Sequence, residues 1–489
     1  MSSLVVVKNP KDWPIHVAGV EVVSAGAYLT EARYAGLPNA KVYNLCRSYS
    51  YQSAGYYVSL LAAARGHKPL PDVSTLQNMR SAPIVRLMSE EIEELIQKHL
   101  KDIQAKEFVM SIYFGHNLAK RYDYLAWKLY NLFQAPFLRA HFVFKKEWEL
   151  RRIMPIPASE IPQDHLPFVI QEARKYFARK DAGSSRKVRY SYELAILRDP
   201  AEKTPPSNKR ALERFVSAAE YVGMRPEIIT REDYGRIAEF DALFIRATTQ
   251  VHHYTYQFAR RAEAEGLAVI DDPESIIRCT NKVFLAEALK RHGVSIPETL
   301  ILHRDQLESL CSRVSLPCVL KLPDSAYSIG VVKAETPEAL RAAAERFFEK
   351  SELIVVQRYM PTAFDWRIGV LDDKPLYACR YHMALRHWQI VKQASTGKLL
   401  AGKVEPVPLK RVPAAVIETA LAATRAVGHG LYGVDLKEAE TGVVVIEVND
   451  NASIDAGYED TYLKLSIYRK IMKSLLRRVE LIKDGRYPS

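Results

Sequence analysis

Residues 433–450 read GVDLKEAETGVVVIEVND, and this stretch decides how the C-terminal part of the chain is built. The segment VVVIEVN alternates with the period of two of a β-strand, so Glu447 and Asn449 fall on one face of it. Asp435 follows the short apolar stretch LYGV and belongs at the end of the neighbouring strand. Two carboxylates and one amide oxygen are hard ligands. They suit Mg²⁺ (or Mn²⁺) bridging nucleotide phosphates and are poor ligands for zinc or copper. The competing reading is an acidic strand-turn-strand edge without a metal, because E-x-N is a short motif.

Upstream segments add to the first reading. In CTNKVFLAEALKRHGVSIPETLIL, Lys282 opens a helix and Pro297 precedes a strand. In LPCVLKLPDSAYSIGVVKAET, Lys321 ends the strand CVLK and a small-residue loop from Pro323 to Gly330 leads into another strand. A lysine at a strand end facing Ser325, Ser328 and Gly330 is what polyphosphate binding asks for: loop N–H groups and hydroxyls donate to phosphate oxygens while the ammonium supplies charge. In LIVVQRYMPTAFDWRIGVLDDKPLYACRYHM, a strand ending at Gln357, Arg358, Tyr359 and Met360 can offer backbone donors and acceptors to an adenine edge. Asp365 and Arg367 project together from the next element.

In this order the set NK, VLK with its loop, VVQRYM, DWR, VD and E-x-N resembles the ATP-grasp superfamily, in its RimK-like amino-acid ligase branch. The resemblance covers roughly residues 190–480. The N-terminal part, with VYNLCRSYSYQSAGYYVSLLAAARGHKPLP, is similar to the N-terminal domain that accompanies a subset of RimK-like proteins. The resemblance implies an α/β chain with α+β lobes: an ATP-grasp fold, an open α/β unit before it, and an additional N-terminal α/β domain. It further implies an ADP-forming ligase that makes an amide or peptide bond through an acyl phosphate, on an amino acid (glutamate among the candidates) or small peptide. Lys282 and Lys321 would hold phosphates, Gln357, Arg358, Tyr359 and Met360 would line the adenine hinge, and Asp365 would reach the ribose side.

Catalysis of that kind needs no covalent nucleophile and rests on charge neutralisation and positioning. Arg367 is the first choice for contacting the transferred phosphoryl group or the carboxylate, because a fixed guanidinium gives bidentate recognition of either. Its alternative is a salt bridge with Asp365. Arg380, Arg386 and His387 lie where the family has a loop that meets nucleotide and substrate, and Arg380 joins Arg367 as a catalytic candidate. His382 and His429 are read as structural and Cys379 as a buried apolar residue. After E-x-N, the acids Asp450, Asp455, Glu459 and Asp460 either favour a cationic amino group at the acceptor site or mark a helix N-terminus.

At 489 residues the chain is expected to form two to four domains. The reading is 1–185 for the N-terminal domain, 186–276 for the unit before the nucleotide lobes, 277–350 for the first lobe and 351–489 for the second. The break falls at FARKDAGSSRKVR, a linker composition, and no internal repeat is apparent. Strands are expected at VEVVSA, AKVYNLC, FVMSIYFG and FLRAHFVF, and helices at QSAGYYVSLLAAARG, SEEIEELIQKHL and YDYLAWKLYNLF. The N-terminus has no signal-peptide core and no span reaches the roughly 20 apolar residues of a membrane helix, so a cytoplasmic protein is expected. The five cysteines are scattered and never spaced C-x-x-C, which argues against a disulfide framework or a structural zinc. A net charge of +12 permits a nucleic-acid partner, but the basic residues are interleaved with acids, and small-molecule carboxylate and amine partners are expected instead. Two other functions stay open: a ligase extending a protein tail, with a homo-oligomer possible in either case by resemblance, and a non-catalytic nucleotide-binding regulator.

Overall fold

The computed structural model describes residues 3–13, 15–37, 39–178, 190–324, 330–384, 388–393, 399–440 and 442–486. Ser325, Ser328, Arg386 and His387, expected near phosphates or substrate, lie outside them, as does the linker at Gly183–Ser185. Contacts group the chain into two units, Met1–Glu193 with Glu232–Glu239, and Leu194–Arg231 with Phe240–Ser489. Among the described residues no helix is long and apolar enough to cross a membrane.

The first unit opens with a parallel sheet of β1 (Ser3–Val7), β2 (Val20–Ser24), β3 (Lys41–Asn44) and β4 (Lys68–Leu70), ordered β2-β1-β3-β4. Leu4, Val5, Val6 and Val7 are all fully buried. An unbroken apolar run is the mark of a parallel strand covered on both faces, and a search for alternation passes over it. A second, antiparallel sheet follows, with β6 (Phe137–Phe144) between β5 (Glu107–Tyr113) and β7 (Trp148–Pro155).

The second unit begins with the same frame. Its strands β8 (Tyr192–Leu197), β9 (Met224–Ile229), β10 (Ala242–Ile245) and β11 (Ala268–Ile270) are ordered β9-β8-β10-β11, which is the order of the first sheet. The match extends to single residues. Helices Ala54–Ala64 and Val73–Arg80 correspond to Tyr254–Ala264 and Pro273–Thr280. Asp72 caps Thr75 N–H at 2.6 Å as Asp272 caps Ser275 N–H at 2.9 Å. Gly66 and Gly266 close their helices at φ 69° and 73°, a conformation that favours glycine. The expectation of no internal repeat is therefore corrected. Between 51–90 and 251–290 only Tyr56, Ala62, Ala64, Gly66 and Asp72 recur as Tyr256, Ala262, Ala264, Gly266 and Asp272. What repeats is the burial pattern: Val58, Leu76, Met79 and Val85 in one copy, Phe258, Ile276, Cys279 and Leu285 in the other, all buried.

Two antiparallel sheets complete the second unit. The first is ordered β12 (Thr299–His303), β15 (Leu353–Arg358), β13 (Cys318–Lys321) and β14 (Val331–Ala334). Helix Pro337–Phe348 buries Leu340, Ala343, Ala344, Phe347 and Phe348 against it. The second is ordered β20 (Val404–Val407), β17 (Lys374–His382), β16 (Phe364–Leu371), β21 (Leu431–Ala439) and β22 (Gly442–Asn449). One face of it, with Trp366, Ile368, Val434 and Val448, packs under helix Ala414–Arg425. A short hairpin pairs β18 (Val391–Gln393) with β19 (Leu399–Ala401).

Candidate active site

Alternation along β16, β21 and β22 fixes which side chains share the face opposite that core. Arg367 stands beside Asp435 and Asp435 beside Glu447, while Asn449 pairs with Gly433 one step along. Alternation along β21 keeps Lys437 on the same side, where its Nζ donates to Asp365 Oδ1 at 2.6 Å. Asp365, Arg367, Asp435, Lys437, Glu447 and Asn449 line one cavity of about 910 Å³, within the range of small-molecule sites.

Arg367 does not pair with Asp365. Its Nε and Nη2 donate to the two oxygens of Asp435 at 2.5 and 2.8 Å, and both side chains are about nine-tenths buried. Burial alone would lower the Arg367 pKa, but Asp435 more than offsets it and holds the guanidinium well above its ordinary value. Burial raises the Asp435 carboxyl, and Arg367 pulls it part of the way back. A carboxylate has about four lone-pair sites, so a bidentate arginine leaves room for a cation. Asn449 Nδ2 donates to Gly433 O at 3.2 Å and Asp435 Oδ2 at 3.3 Å, which leaves the amide oxygen as its remaining polar atom. Glu447 Oε1 lies 3.4 Å from Lys282 Nζ. Among the described residues no three His, Cys, Asp or Glu side chains gather as a metal nest. The candidate set reaches three only through the amide oxygen of Asn449, and those three oxygens fit a hard divalent cation.

Lys282 opens its helix because Asn281 caps it, accepting from Phe284 N–H at 2.9 Å, while Lys282 N–H donates to Pro323 O at 3.0 Å. Lys321 ends β13, and burial pushes its ammonium down to about 8, with Glu447 opposing and Lys282 and Lys437 reinforcing the shift. Three lysines thus converge on one end of the cavity, beside Glu447 and Asp365. Gly330, at φ 72°, closes the loop with its O accepting from Leu322 N–H at 2.9 Å, and a Cβ there would meet the Leu322 side chain at 2.9 Å.

The hinge is more committed than its sequence suggests. Arg358 N–H donates to Glu298 O at 2.9 Å and Tyr359 N–H to Pro317 O at 3.1 Å, and Gln357 Nε2 donates to Thr299 Oγ1 at 2.9 Å. Gln357, Arg358, Tyr359 and Met360 nonetheless all line the cavity, with Val319, Val331, Pro297 and Ile446 supplying apolar surface.

Some sequence candidates fall elsewhere. Arg380 pairs with Trp366 across the strands and so sits on the opposite face, its guanidinium over the rings of Phe364 and Trp366 at 4.8 and 4.9 Å, 3.6 Å from Glu405. It does not line the cavity. His382 pairs with Glu405 and the exposed His429 with Asp373, while Cys379 is fully buried, its thiol pushed up by burial. Of the four acids after E-x-N, Asp455 accepts from Asn208 N–H, Glu459 from Tyr381 OH and Asp460 from Arg214 and Tyr468. They tie turns together ahead of helix Leu465–Lys483 and begin no helix themselves. Asp450 alone lines the cavity; burial pushes it up to about 7, against a hydrogen bond from Thr249.

Sequence reasoning missed four groups. Lys437 was within reach, since it lies two residues after Asp435 on the same strand face. The loop Thr248–His252 after β10 and the pair Tyr381 and Ser453 give no local signal, and they line the cavity only through the tertiary fold. Arg246 reads as a strand-end arginine but is 1% exposed.

Comparison with known proteins gives two family matches: a RimK-like ATP-grasp N-terminal domain over residues 25–172 and a RimK-like ATP-grasp domain over residues 279–475. The "Probable alpha-L-glutamate ligase" of Pseudoalteromonas translucida is 30% identical over 236 residues, covering 47% of this chain and 74% of that protein. The "Probable alpha-L-glutamate ligase 2" of Shewanella amazonensis is 30% identical over 236 residues, covering 46% and 74%. Among solved structures, D-alanine–D-alanine ligase from Bacillus anthracis superimposes with a TM-score of 0.45 at 16% identity, covering 60% of this chain and 99% of that one.

Proposed function

We propose that this chain, which belongs to the RimK-like branch of the ATP-grasp superfamily and is an ATP-dependent ligase forming carbon–nitrogen bonds, joins glutamate to an amine-bearing acceptor. The observation that carries the site assignment is the facing arrangement in one cavity of Asp435, Glu447 and Asn449 with Lys282, Lys321 and Lys437. The substrate rests on the names of the relatives.

ATP with Mg²⁺ would supply the phosphoryl group that activates a carboxylate and the divalent charge that offsets the phosphates. Asp435, Glu447 and Asn449 would hold the cation, and the three lysines would neutralise phosphate charge. Gln357 to Met360 would bound the base, and Asp365, tied by Lys437, would border the sugar. Arg367 keeps the Asp435 carboxylate charged and oriented, which makes it a support of the metal site rather than a free clamp. Beyond this row, Tyr381, Ser453 and the loop 248–252 would bound the donor and acceptor.

ADP release from ATP and Mg²⁺, screened over pairs of amino acids, tests the reading. Glutamate-dependent ADP with a new amide in the product is expected. Release that never depends on glutamate would overturn the substrate assignment, and AMP with pyrophosphate would overturn the chemistry.

A further inference from the structure

We infer that Arg246 is a positioning residue for the metal site, fixing the turn that follows Glu447 and Asn449 to the frame sheet of the second unit. This rests on the metal-site reading above. Arg246 follows β10, its N–H donating to Leu197 O at 2.7 Å, and its guanidinium lies near the rings of Phe244 and Phe215 at 5.3 and 5.9 Å. The side chain is 1% exposed and reaches two other segments.

Toward the turn, Nη1 donates to Asn451 Oδ1 at 2.8 Å and Nη2 to Ala452 O at 2.9 Å. Asn451 Nδ2 donates in return to Ala247 O. Toward the segment before helix Lys209–Tyr221, Nε and Nη2 donate to Ser207 Oγ at 3.1 and 2.9 Å, and Nη2 to Pro206 O at 2.5 Å. Ser207 Oγ donates to Ile454 O at 2.9 Å, and Ile454 N–H to Pro206 O at 2.9 Å. One planar guanidinium therefore sets the spacing of three segments, and Asn449 lies two residues before the Asn451 it holds.

The first copy of the frame shows what the position needs when no such turn is present. There Leu45 N–H donates to Val6 O at 2.8 Å, in the place of Arg246, and the leucine packs in an apolar cluster. The frame itself does not require an arginine. The five-stranded sheet of β16, β17, β20, β21 and β22, the grasp sheet, does, because the turn after it presents backbone and amide oxygens that only a multi-pronged donor can satisfy while dry. Lysine has three donors but no planar fork, so it holds one segment at the expense of another.

The test compares wild type with Arg246→Lys, Arg246→Ala and Asn451→Ala in the full chain. Folding is followed by circular dichroism, Mn²⁺ binding with a non-hydrolysable ATP analogue by electron paramagnetic resonance, and turnover as ADP release. Expected are folded variants whose Mn²⁺ affinity falls about tenfold, a loss of roughly 1.4 kcal/mol, with a lower kcat and a nearly unchanged KM for glutamate. Added guanidinium should restore part of the affinity to Arg246→Ala. Should Arg246→Ala fail to fold, Asn451→Ala, which loses only the turn side of the network, decides. Folded variants that bind Mn²⁺ as wild type does would overturn the inference. Absence of Mn²⁺ binding by wild type itself would instead overturn the metal-site reading.

Discussion

In the first copy of the four-stranded frame the position after the third strand is Leu45, and the helix that follows the Asp72-capped one opens with Ala82; in the second copy these places hold Arg246 and Lys282. Pro71 stands where the second copy has Asp271, a buried carboxyl with one oxygen unpartnered among the described residues. The caps, the closing glycines and the buried apolar positions agree between the copies. The difference separates two kinds of residue. Those that build the sheet and its helices repeat, and those that line the cavity or hold the five-stranded sheet occur once. A polar group in a dry frame costs free energy unless a partner satisfies it.

The sharpest break between the copies lies in the grasp sheet, which only the second has attached to its frame. Glu447→Gln should lower ADP formation at least about a hundredfold with little change in melting temperature, because its side chain is 31% exposed. Asp435→Asn should be equally inactive and also less stable, by about 3–5 kcal/mol, because it leaves Arg367 buried without its counter-charge. Denaturant unfolding separates the two variants, and equal stabilities would contradict the buried pairing.

Leu45 offers the reverse contrast. Leu45→Ala should cost about 2–5 kcal/mol of stability while the folded protein keeps its kcat and its KM for ATP. A catalytic defect at a temperature where the variant is fully folded would show that the first copy does more than hold itself together.

Lys282→Ala should raise the KM for ATP about tenfold, the scale of roughly 1.4 kcal/mol, and Ala82→Lys should leave the kinetics unchanged. A comparable response from both would erase the distinction. A smaller effect is expected from pH. Lys321 sits at about 8 in the free protein, below the ordinary lysine value of 10.5, so burial opposes its charge. The cost of holding it charged is present below about pH 8 and is relieved as pH rises towards 10.5. Phosphate favours the charged form, so nucleotide binding at pH 8.5 should take up a fraction of a proton and at pH 6.5 none, read by calorimetry in buffers of different ionisation enthalpy. Lys321→Met should abolish the uptake.

Much of the second unit was legible in the sequence because its chemistry sits on strands and helix starts. Alternation placed Glu447 and Asn449 on one face, and the strand end placed Lys321. The partners across strands were not legible. Arg367 meets Asp435 and not Asp365, and Arg380 turns to the opposite face, because register and pleat are set by tertiary pairing. Asp455, Glu459 and Asp460 look like a charged binding turn until they are seen to accept from Asn208, Tyr381 and Arg214. The duplicated frame was invisible for a different reason. Burial constrains size and polarity, not identity, so two copies can share a core pattern with almost no residues in common.

The claim that this frame carries nucleotide chemistry once is tested most directly by the stoichiometry of nucleotide binding to the full chain. Calorimetric titration with a non-hydrolysable ATP analogue and Mg²⁺ should give one site per chain, lost when Lys282 and Lys321 are both changed to alanine. Two sites per chain, or a site that survives the double change, would contradict it.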